Sequence, residues 1–433
     1  MNNAKFKKIS IKRNEGLHFA KISGDNNLIH SCKNTGYQSQ FGENIVHGSL
    51  AIIKILIKLK VKNFTSLNIK FLSFIKYNEI CEIRLIKKKQ KQFYYKIYQE
   101  QELKITLEIY NFEKEKIEEL TKADVEKKIT ISNNKIKKFH NKFIDANLKL
   151  ILCELSRYVG VIYPGKYSLI NSIDIIKKKN LILKNIIHIK SKKLDKRFNL
   201  IENNLVSSQF FVNFKTSIRP KLKKNFKRPN KQIINEIKSI KNNILIIGAS
   251  SGLGLDLLEL VSKNHNIKII SIYKNNKIKL KQKNLISLKI DITSNIKKIF
   301  NIIKKYAPLN IYYFATPVIN TKVNNEFIFK KYHKYYVSIP LKLVNFSIKH
   351  NSNFFYPSTI FINNKDKSHY SILKNAFEKK IRLLKNVKSK INVARIPKLN
   401  TRQNLNLFNE KLPNFRDIIF KNREIRKKIF FFN

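Results

Sequence analysis

The chain has 433 residues, 43% of them apolar, and a formal net charge of +59. That apolar share excludes a disordered chain, and the length allows two or three domains with real cores. The charge alone would suggest nucleic acid, but its distribution argues against this. Lys outnumbers Arg several-fold, and basic residues are interspersed along every segment. Lys, Asn, Ile, Phe and Tyr are abundant together while Trp is absent, the excess expected from A/T-rich codons. The charge therefore reads as inherited composition, with a secondary benefit for anionic ligands. A basic nucleic-acid-binding or scaffold protein is the alternative from another class, and only the charge supports it. Cys32, Cys81 and Cys153 lie far apart without ligand spacing, so reduced thiols, no metal site and a cytoplasmic location are expected. No signal peptide is expected. The most apolar run, Leu50 to Leu59, is broken by Lys54 and Lys58, which predicts no membrane span.

In chain order, residues 1–18 read as a lead-in with a strand over Phe6–Ile11. The stretch from Phe19 to Leu50 gathers the residues with the clearest chemistry. It places Asp25 and, five residues later, His30 around a Ser-Gly-Asp-Asn-Asn turn, and Gly48 where an amphipathic run (Ser49 to Lys60) begins. A carboxylate and an imidazole that reach one water form an acid/base pair. A backbone N–H at a helix start polarises a carbonyl oxygen. Together they suit adding or removing water at the α,β position of a thioester.

The stretch resembles the MaoC-like, R-specific enoyl-CoA hydratases, whose signature reads F-A-x-x-S-G-D-x-N-P-x-H and then F-G-x-x-I-V-H-G. Phe19, Ala20, Ser23, Gly24, Asp25, Asn27, His30, Phe41, Gly42, Ile45, Val46, His47 and Gly48 stand at matching positions. The resemblance implies that Asp25 and His30 are the catalytic pair and that the Gly48 amide holds the thioester oxygen. Leu28 stands where the family has proline; no catalytic atom is lost.

Strands are predicted at Leu67–Phe74, Glu79–Lys87, Gln92–Gln99 and Leu103–Phe112, where residues alternate. One helix wrapped by an antiparallel sheet is the hotdog arrangement, which the resemblance independently implies for residues 1–120. Residues 113–135 read as a charged connector. The pattern then recurs: a helix over Phe143–Gly160, then strands at Tyr167–Ile175, Ile182–Ser191, Phe198–Glu202 and Ser207–Ser217. Residues 121–222 are therefore expected to form a second hotdog unit, non-catalytic because it has no Asp-x-Asn-x-x-His. Double-hotdog hydratases also pair an active half with a degenerate one that helps to form the acyl tunnel. Residues 223–242, basic and polar, read as a linker.

From 243 to 433 the pattern is βαβ. A continuous apolar strand, Ile244–Ile247, precedes Gly248-Ala249-Ser250-Ser251-Gly252-Leu253-Gly254 and a helix over Leu255–Ser262. Further strands are predicted at Ile267–Tyr273, Leu285–Ile290, Ile311–Phe314 and Phe354–Tyr356. Tyr370 and Lys374 share a helix face. This segment resembles the short-chain dehydrogenase/reductases, which carry G-x-x-x-G-x-G, a Ser, and Y-x-x-x-K. By that resemblance Tyr370 donates a proton to a carbonyl, Lys374 lowers its pKa and binds the ribose, and Ser358 orients the substrate. Gly248, Ser250, Ser251, Gly252, Gly254, Asp291 and Ala315 would line the dinucleotide. Lys274, just past the second strand, would meet a 2′-phosphate, favouring NADP over NAD. Two departures stand out: Phe314-Ala315-Thr316 replaces Asn-Ala-Gly, and Tyr336-Val337 stands about where the catalytic Asn is expected.

The expected fold is thus an α+β hotdog half, double by this reading, followed by an α/β Rossmann domain. The expected function is a bifunctional (R)-3-hydroxyacyl dehydratase/enoyl hydratase and NADPH-dependent 3-ketoacyl reductase of fatty-acid or polyketide-like metabolism. Acyl-CoA or acyl-carrier-protein thioesters are the expected substrates and a homo-oligomer the expected assembly. The alternative within enzymes is that one domain alone is catalytic. Arg219 and the many lysines would serve the anionic carrier, with no position singled out.

Overall fold

The computed structural model describes residues 6–61, 63–112, 119–130, 144–178, 186–195, 197, 199–220, 222, 228–319, 325–363, 366–384, 390–405 and 411–431. The chain divides into two units: Met1–Lys221 with Asn406–Asn409, and Leu222–Leu405 with Glu410–Asn433. Among the described residues no helix is long and apolar enough to cross a membrane.

The first unit is built on one ten-stranded antiparallel sheet. Its strands are β1 (Lys7–Ser10), β2 (Ser66–Phe71), β3 (Ile80–Lys89), β4 (Gln92–Gln99), β5 (Glu102–Tyr110), β6 (Val125–Thr130), β7 (Ser168–Lys177), β8 (Ile186–Asp195), β9 (Leu200–Val206) and β10 (Phe210–Ile218). The spatial order is β1-β3-β4-β5-β2-β7-β10-β9-β8-β6. Read from its two outer edges inward, the sheet repeats one topology: 1-3-4-5-2 on one side and 6-8-9-10-7 on the other. The halves join where β2 pairs antiparallel with β7, Ile69 opposite Ile173.

Helices α1 (Arg13–Ser23), α2 (Leu28–Ser31) and α3 (Lys33–Gln38) precede α4 (Gly48–Leu59), and α5 (Ala146–Arg157) is its counterpart in the second half. Leu50, Ile52, Ile53, Ile55 and Leu56 of α4 share one core with Leu148, Ile151, Leu152 and Leu155 of α5. Lys54 keeps its ammonium out of that core by pairing with Glu15. Asp145 caps α5 through the Asn147 and Leu148 amides.

Several expectations are corrected. α1 begins within the lead-in and runs on into the stretch from Phe19, and the charged connector contains β6, which pairs with β8 at the sheet's edge. β6 reads Val-Glu-Lys-Lys-Ile-Thr; an edge strand keeps few buried side chains, so its pattern is weak. Residue 143, taken as the start of the second helix, lies outside the described residues, and the helix is described from Ala146. Residues 182–185 and 198, expected in strands, also lie outside them. Within the stretch read as a linker, α6 (Lys231–Lys238) buries Ile233 and Ile237. The two side chains stand four apart on one face, and the helix belongs to the second unit's core.

The second unit is a six-stranded parallel sheet, β13-β12-β11-β14-β15-β16. The strands are β11 (Asn243–Ile247), β12 (Ile269–Tyr273), β13 (Leu285–Lys289), β14 (Leu309–Tyr313), β15 (Asn353–Thr359) and β16 (Ile391–Ile396). Both faces are covered: Ile244 and Ile246 enter one core, Leu245 and Ile247 the other. Helices α7 (Gly252–Val261), α8 (Ile296–Tyr306), α9 (Glu326–His333), α10 (Ile339–Lys349) and α11 (His369–Arg382) follow in chain order. Strand order reverses between β11 and β14, the crevice where open parallel sheets bind ligands.

Candidate active sites

In the first unit the sequence Ser-Gly-Asp-Asn-Asn builds its turn locally. The Ser23 hydroxyl donates to the Phe19 carbonyl at 2.7 Å and accepts from the Asp25 amide at 3.1 Å. Gly24 ends α1 in the left-handed region, φ 77°, and a Cβ there would come within 3.0 Å of the Arg157 side chain. The Asn27 amide donates to Asp25 Oδ1 at 3.2 Å, and the Asn27 side chain caps α2. Leu28 is the first residue of α2, where proline is best tolerated, and it lies 42% exposed. The cap forms without proline, which is why the departure from the signature leaves the turn intact.

That turn sets His30 on α2. Its Nδ1 lies 2.8 Å from the Ile45 carbonyl. A carbonyl can only accept, so the proton sits on Nδ1 and the lone pair on Nε2. His47, the cap residue of α4, stacks on His30 with ring centroids 3.9 Å apart. It is fully buried, its Nδ1 lies 3.4 Å from the Tyr77 hydroxyl, and its Nε2 makes no hydrogen bond. Ligating atoms of Asp25, His30 and His47 all lie within 4.8 Å of one another, close enough for one water or a divalent ion to bridge.

The other half of the sheet completes the surroundings of Asp25. The Ser156 hydroxyl of α5 donates to Asp25 Oδ2 at 2.7 Å, and both residues are buried. Gly160, in a π-helical turn (Tyr158–Ile162) that continues α5, presses against the carboxylate; a Cβ there would come within 2.2 Å of Oδ1. Gly48 opens α4, so its amide has no acceptor within the helix. A Cβ on Gly48 would meet the Phe71 ring at 3.2 Å and Ile170, from the second half, at 3.8 Å.

In the second unit, Gly248 takes φ 91°, and a Cβ on it would come within 2.6 Å of the Ala315 amide. Gly254 packs the start of α7 against the Gly248 carbonyl, which a Cβ would approach to 2.3 Å. Gly252 instead opens onto space that a Cβ would not fill. Ser250 and Ser251 lie in this same turn, Ser251 as the cap residue of α7. Lys274 does not stand free: its ammonium lies 2.9 Å from Asp291 Oδ2. Burial works against the Asp291 carboxylate, but bonds from Lys274 and Thr293 hold it below its ordinary value.

Ser358 is turned away from the position expected of it. Its hydroxyl donates to Glu378 at 2.5 Å, in a cluster where Arg395 pairs with the same carboxylate at 2.7 Å. The neighbouring Thr359 is the hydroxyl bonded to Tyr370. Both hydroxyls thus meet α11, Ser358 at Glu378 and Thr359 about two turns earlier at Tyr370. Tyr336, at the expected Asn position, packs edge-on against Tyr370 with centroids 5.3 Å apart. Its hydroxyl lies 2.5 Å from Thr316 Oγ1. Lys374 donates to the Pro357 carbonyl and stands 4.3, 4.9 and 5.7 Å from the ring centroids of Tyr356, Tyr336 and Tyr370.

Residues 2–108 match the family model of the MaoC like domain. No curated protein matches the chain. Solved structures similar to parts of it include an epimerase from Methanothermobacter thermautotrophicus, at 16% identity over 39% of this chain and 55% of that one, TM-score 0.32. A short chain dehydrogenase from Burkholderia cenocepacia in complex with NADP aligns at 13% identity over 41% of this chain and 81% of that one, TM-score 0.35. A MaoC-like dehydratase from Phytophthora capsici aligns at 7% identity over 48% of this chain and 94% of that one, TM-score 0.33. At such scores these likenesses carry no further weight.

The surroundings of His30 and His47 disfavour the charged imidazole. Burial lowers the His30 pKa and Arg219 lowers it further, against Asp25 and the Ile45 carbonyl, which raise it. Burial and the neighbouring His30 hold His47 well down. In the second unit, burial pulls Lys374 down to about 7, with Glu378 countering. Burial pushes the Tyr370 phenol up to about 12, and the Thr359 bond works the other way. The group that lowers Tyr370 is thus Thr359 rather than the expected Lys374, and burial outweighs it. Ser156, Gly160 and Thr359 were not anticipated as site residues.

Proposed function

We propose that the first unit hydrates or dehydrates the α,β position of an acyl thioester and that the second reduces a 3-ketoacyl thioester with a nicotinamide cofactor. The observation that carries this reading is the approach of Asp25 and His30 beside the start of α4, inside the matched domain. In hydration, water held between Asp25 and His30 adds to C3 and gives up a proton to the pair. The charge that develops on the thioester oxygen is met by the Gly48 amide, and the proton returns to C2. Dehydration is the reverse. The repeated strand topology supports a double hotdog in which the second half supplies Ser156 and Gly160 rather than a second acid/base pair.

In the second unit the turn from Gly248 to Gly254 and the backbone at Ala315 suit a dinucleotide, with Lys374 toward the ribose and Tyr370 as proton donor. The cofactor, when bound, supplies hydride. NADP is proposed over NAD because the connection over residues 274–284 has no Asp or Glu and carries four lysines besides Lys274, which its ion pair with Asp291 removes from the argument. Acyl-CoA or acyl-carrier-protein thioesters are the proposed substrates, and a homo-oligomer the proposed assembly by analogy with both folds. A second reading is favoured by Ser358 on Glu378, Tyr336 at the Asn position and Lys374 among three tyrosines: the second unit is then a Rossmann-like domain without reductase chemistry.

One experiment separates the two. The protein is mixed with NADPH and a short 3-ketoacyl-CoA, and in a parallel reaction with crotonyl-CoA, following nicotinamide absorbance and thioester masses. NADPH consumption with both hydroxyacyl and enoyl products is expected. Hydration of crotonyl-CoA with NADPH untouched would leave the first unit alone as an enzyme.

Two further outcomes are expected within the first unit. Ser156→Ala should reduce kcat for hydration about tenfold to a hundredfold with little change in KM, because a hydrogen bond to a charged group is worth about 1.5–3 kcal/mol. Steady-state kinetics on a folded variant checks it. The acid limb of kcat/KM should lie below pH 6.5, since the neutral imidazole is the base and its pKa is lowered from that value. Activity then persists as pH falls to 6.5 and is lost below it; a pH–rate profile with its midpoint above 6.5 would contradict the assignment.

A further inference from the structure

Arg219 follows β10 and is carried inward: only 8% of it is exposed. Most of this chain's positive charge is dispersed along the surface as composition; a buried guanidinium is not explained that way. Its charge is poorly met. Nε has no hydrogen-bond partner, and Nη2 reaches the Lys166 carbonyl at a long 3.4 Å. The guanidinium carbon stands 5.7 Å from the ring centroids of both Phe41 and Tyr167. No carboxylate among the described residues pairs with it, and burial pulls it down to about 10 with only Tyr167 countering. Phe41 packs with Ile29 and Ile45, the residue before His30 and the one whose carbonyl holds it, and the Arg219 charge is felt at His30.

Two aromatic faces lessen the cost of such a cation without neutralising it. The fork of a guanidinium matches a carboxylate or a phosphate, and here part of that fork is unused. We infer that Arg219 receives an anionic oxygen group of the thioester substrate, beside the Asp25–His30 pair. Two sources share that chemistry: a carboxylate on the acyl chain, or a phosphate on the carrier arm. The inference rests on the hydration reading for its substrate.

The test compares the full-length protein with Arg219→Met, which keeps the stem and drops the charge, and Arg219→Lys, which keeps the charge and drops the fork. Three 2-enoyl thioesters serve as probes: crotonyl-N-acetylcysteamine, uncharged; crotonyl-CoA, with phosphates; and glutaconyl-N-acetylcysteamine, with an acyl carboxylate. The expected result is that Arg219→Met lowers, at least thirtyfold, the ratio of kcat/KM on one charged thioester to that on the uncharged one, with Arg219→Lys between. A fall confined to crotonyl-CoA identifies the phosphate, and one confined to the glutaconyl thioester identifies the carboxylate. Unchanged ratios, including a uniform loss on all three, would overturn the proposal and leave Arg219 acting only through His30. Calorimetric titration with coenzyme A and with glutarate keeps the two readings apart. If no thioester is hydrated but either anion binds and Arg219→Met weakens it at least tenfold, the hydration reading fails and the anion site stands. If neither anion binds and no thioester turns over, both fail. Should Arg219→Met not fold, Arg219→Lys is read against the same ratios, with at least a threefold fall expected and no fall overturning the site.

Discussion

Asp25→Asn is expected to lower hydration of a 2-enoyl thioester by roughly 10²–10⁴-fold, the usual contribution of a positioned acid or base. The replacement is nearly isosteric, so it tests charge rather than shape. Asp25 now accepts from the Ser156 hydroxyl and the Asn27 amide. An amide has only one oxygen to offer them, although the Ser156 hydroxyl can rotate and accept instead. The stability cost should therefore be about 1–3 kcal/mol at most, the cost of one unsatisfied buried donor. Thermal melting together with loss of enoyl absorbance checks both parts. Reduction of a 3-ketoacyl thioester should survive, because Tyr370 belongs to the other unit. Loss of both activities in a folded variant would show that the two sites are not independent.

Tyr370→Phe is the complementary expectation: NADPH-dependent ketone reduction falls roughly 10²–10⁴-fold and hydration continues. Removing the hydroxyl leaves the ring free to keep its edge-on packing with Tyr336. It strips Thr359 of the phenol. Stopped-flow nicotinamide absorbance with hydration of crotonyl-CoA as the internal control reads the outcome. If reduction is present and Tyr370→Phe leaves it intact, the proton comes from elsewhere, and the phenol of Tyr336 near Thr316 is the next group to remove.

Local chemistry was legible and distant contact was not. The turn around Asp25 could be read because every bond that shapes it lies within a few residues: Ser23 to Phe19, Asn27 to Asp25, Asn27 to Ile29. The glycines of the turn from Gly248 to Gly254 were visible for the same reason, since φ and close approach are properties of single positions. Ser156 reaches Asp25 across 131 positions, and nothing in Glu-Leu-Ser-Arg announces that. Ser358 and Thr359 are adjacent hydroxyls at the end of one strand, and nothing local tells which meets Tyr370 and which Glu378. β6 was missed because an edge strand need not alternate. α6 had a signal, Ile233 and Ile237 four apart, that the surrounding lysines obscured.

The single sheet that joins both halves of the first unit also sets how the site responds to dilution. Where two separate subunits must each bring part of a site, the assembled fraction falls as the protein is diluted toward the dissociation constant. Here Asp25 and His30 come from one half and Ser156 and Gly160 from the other, joined by one chain and by the pairing of β2 with β7. Their encounter is intramolecular, at an effective concentration that the solution cannot lower. On the proposed reading, the second half thereby acts as a permanently bound cofactor of the first.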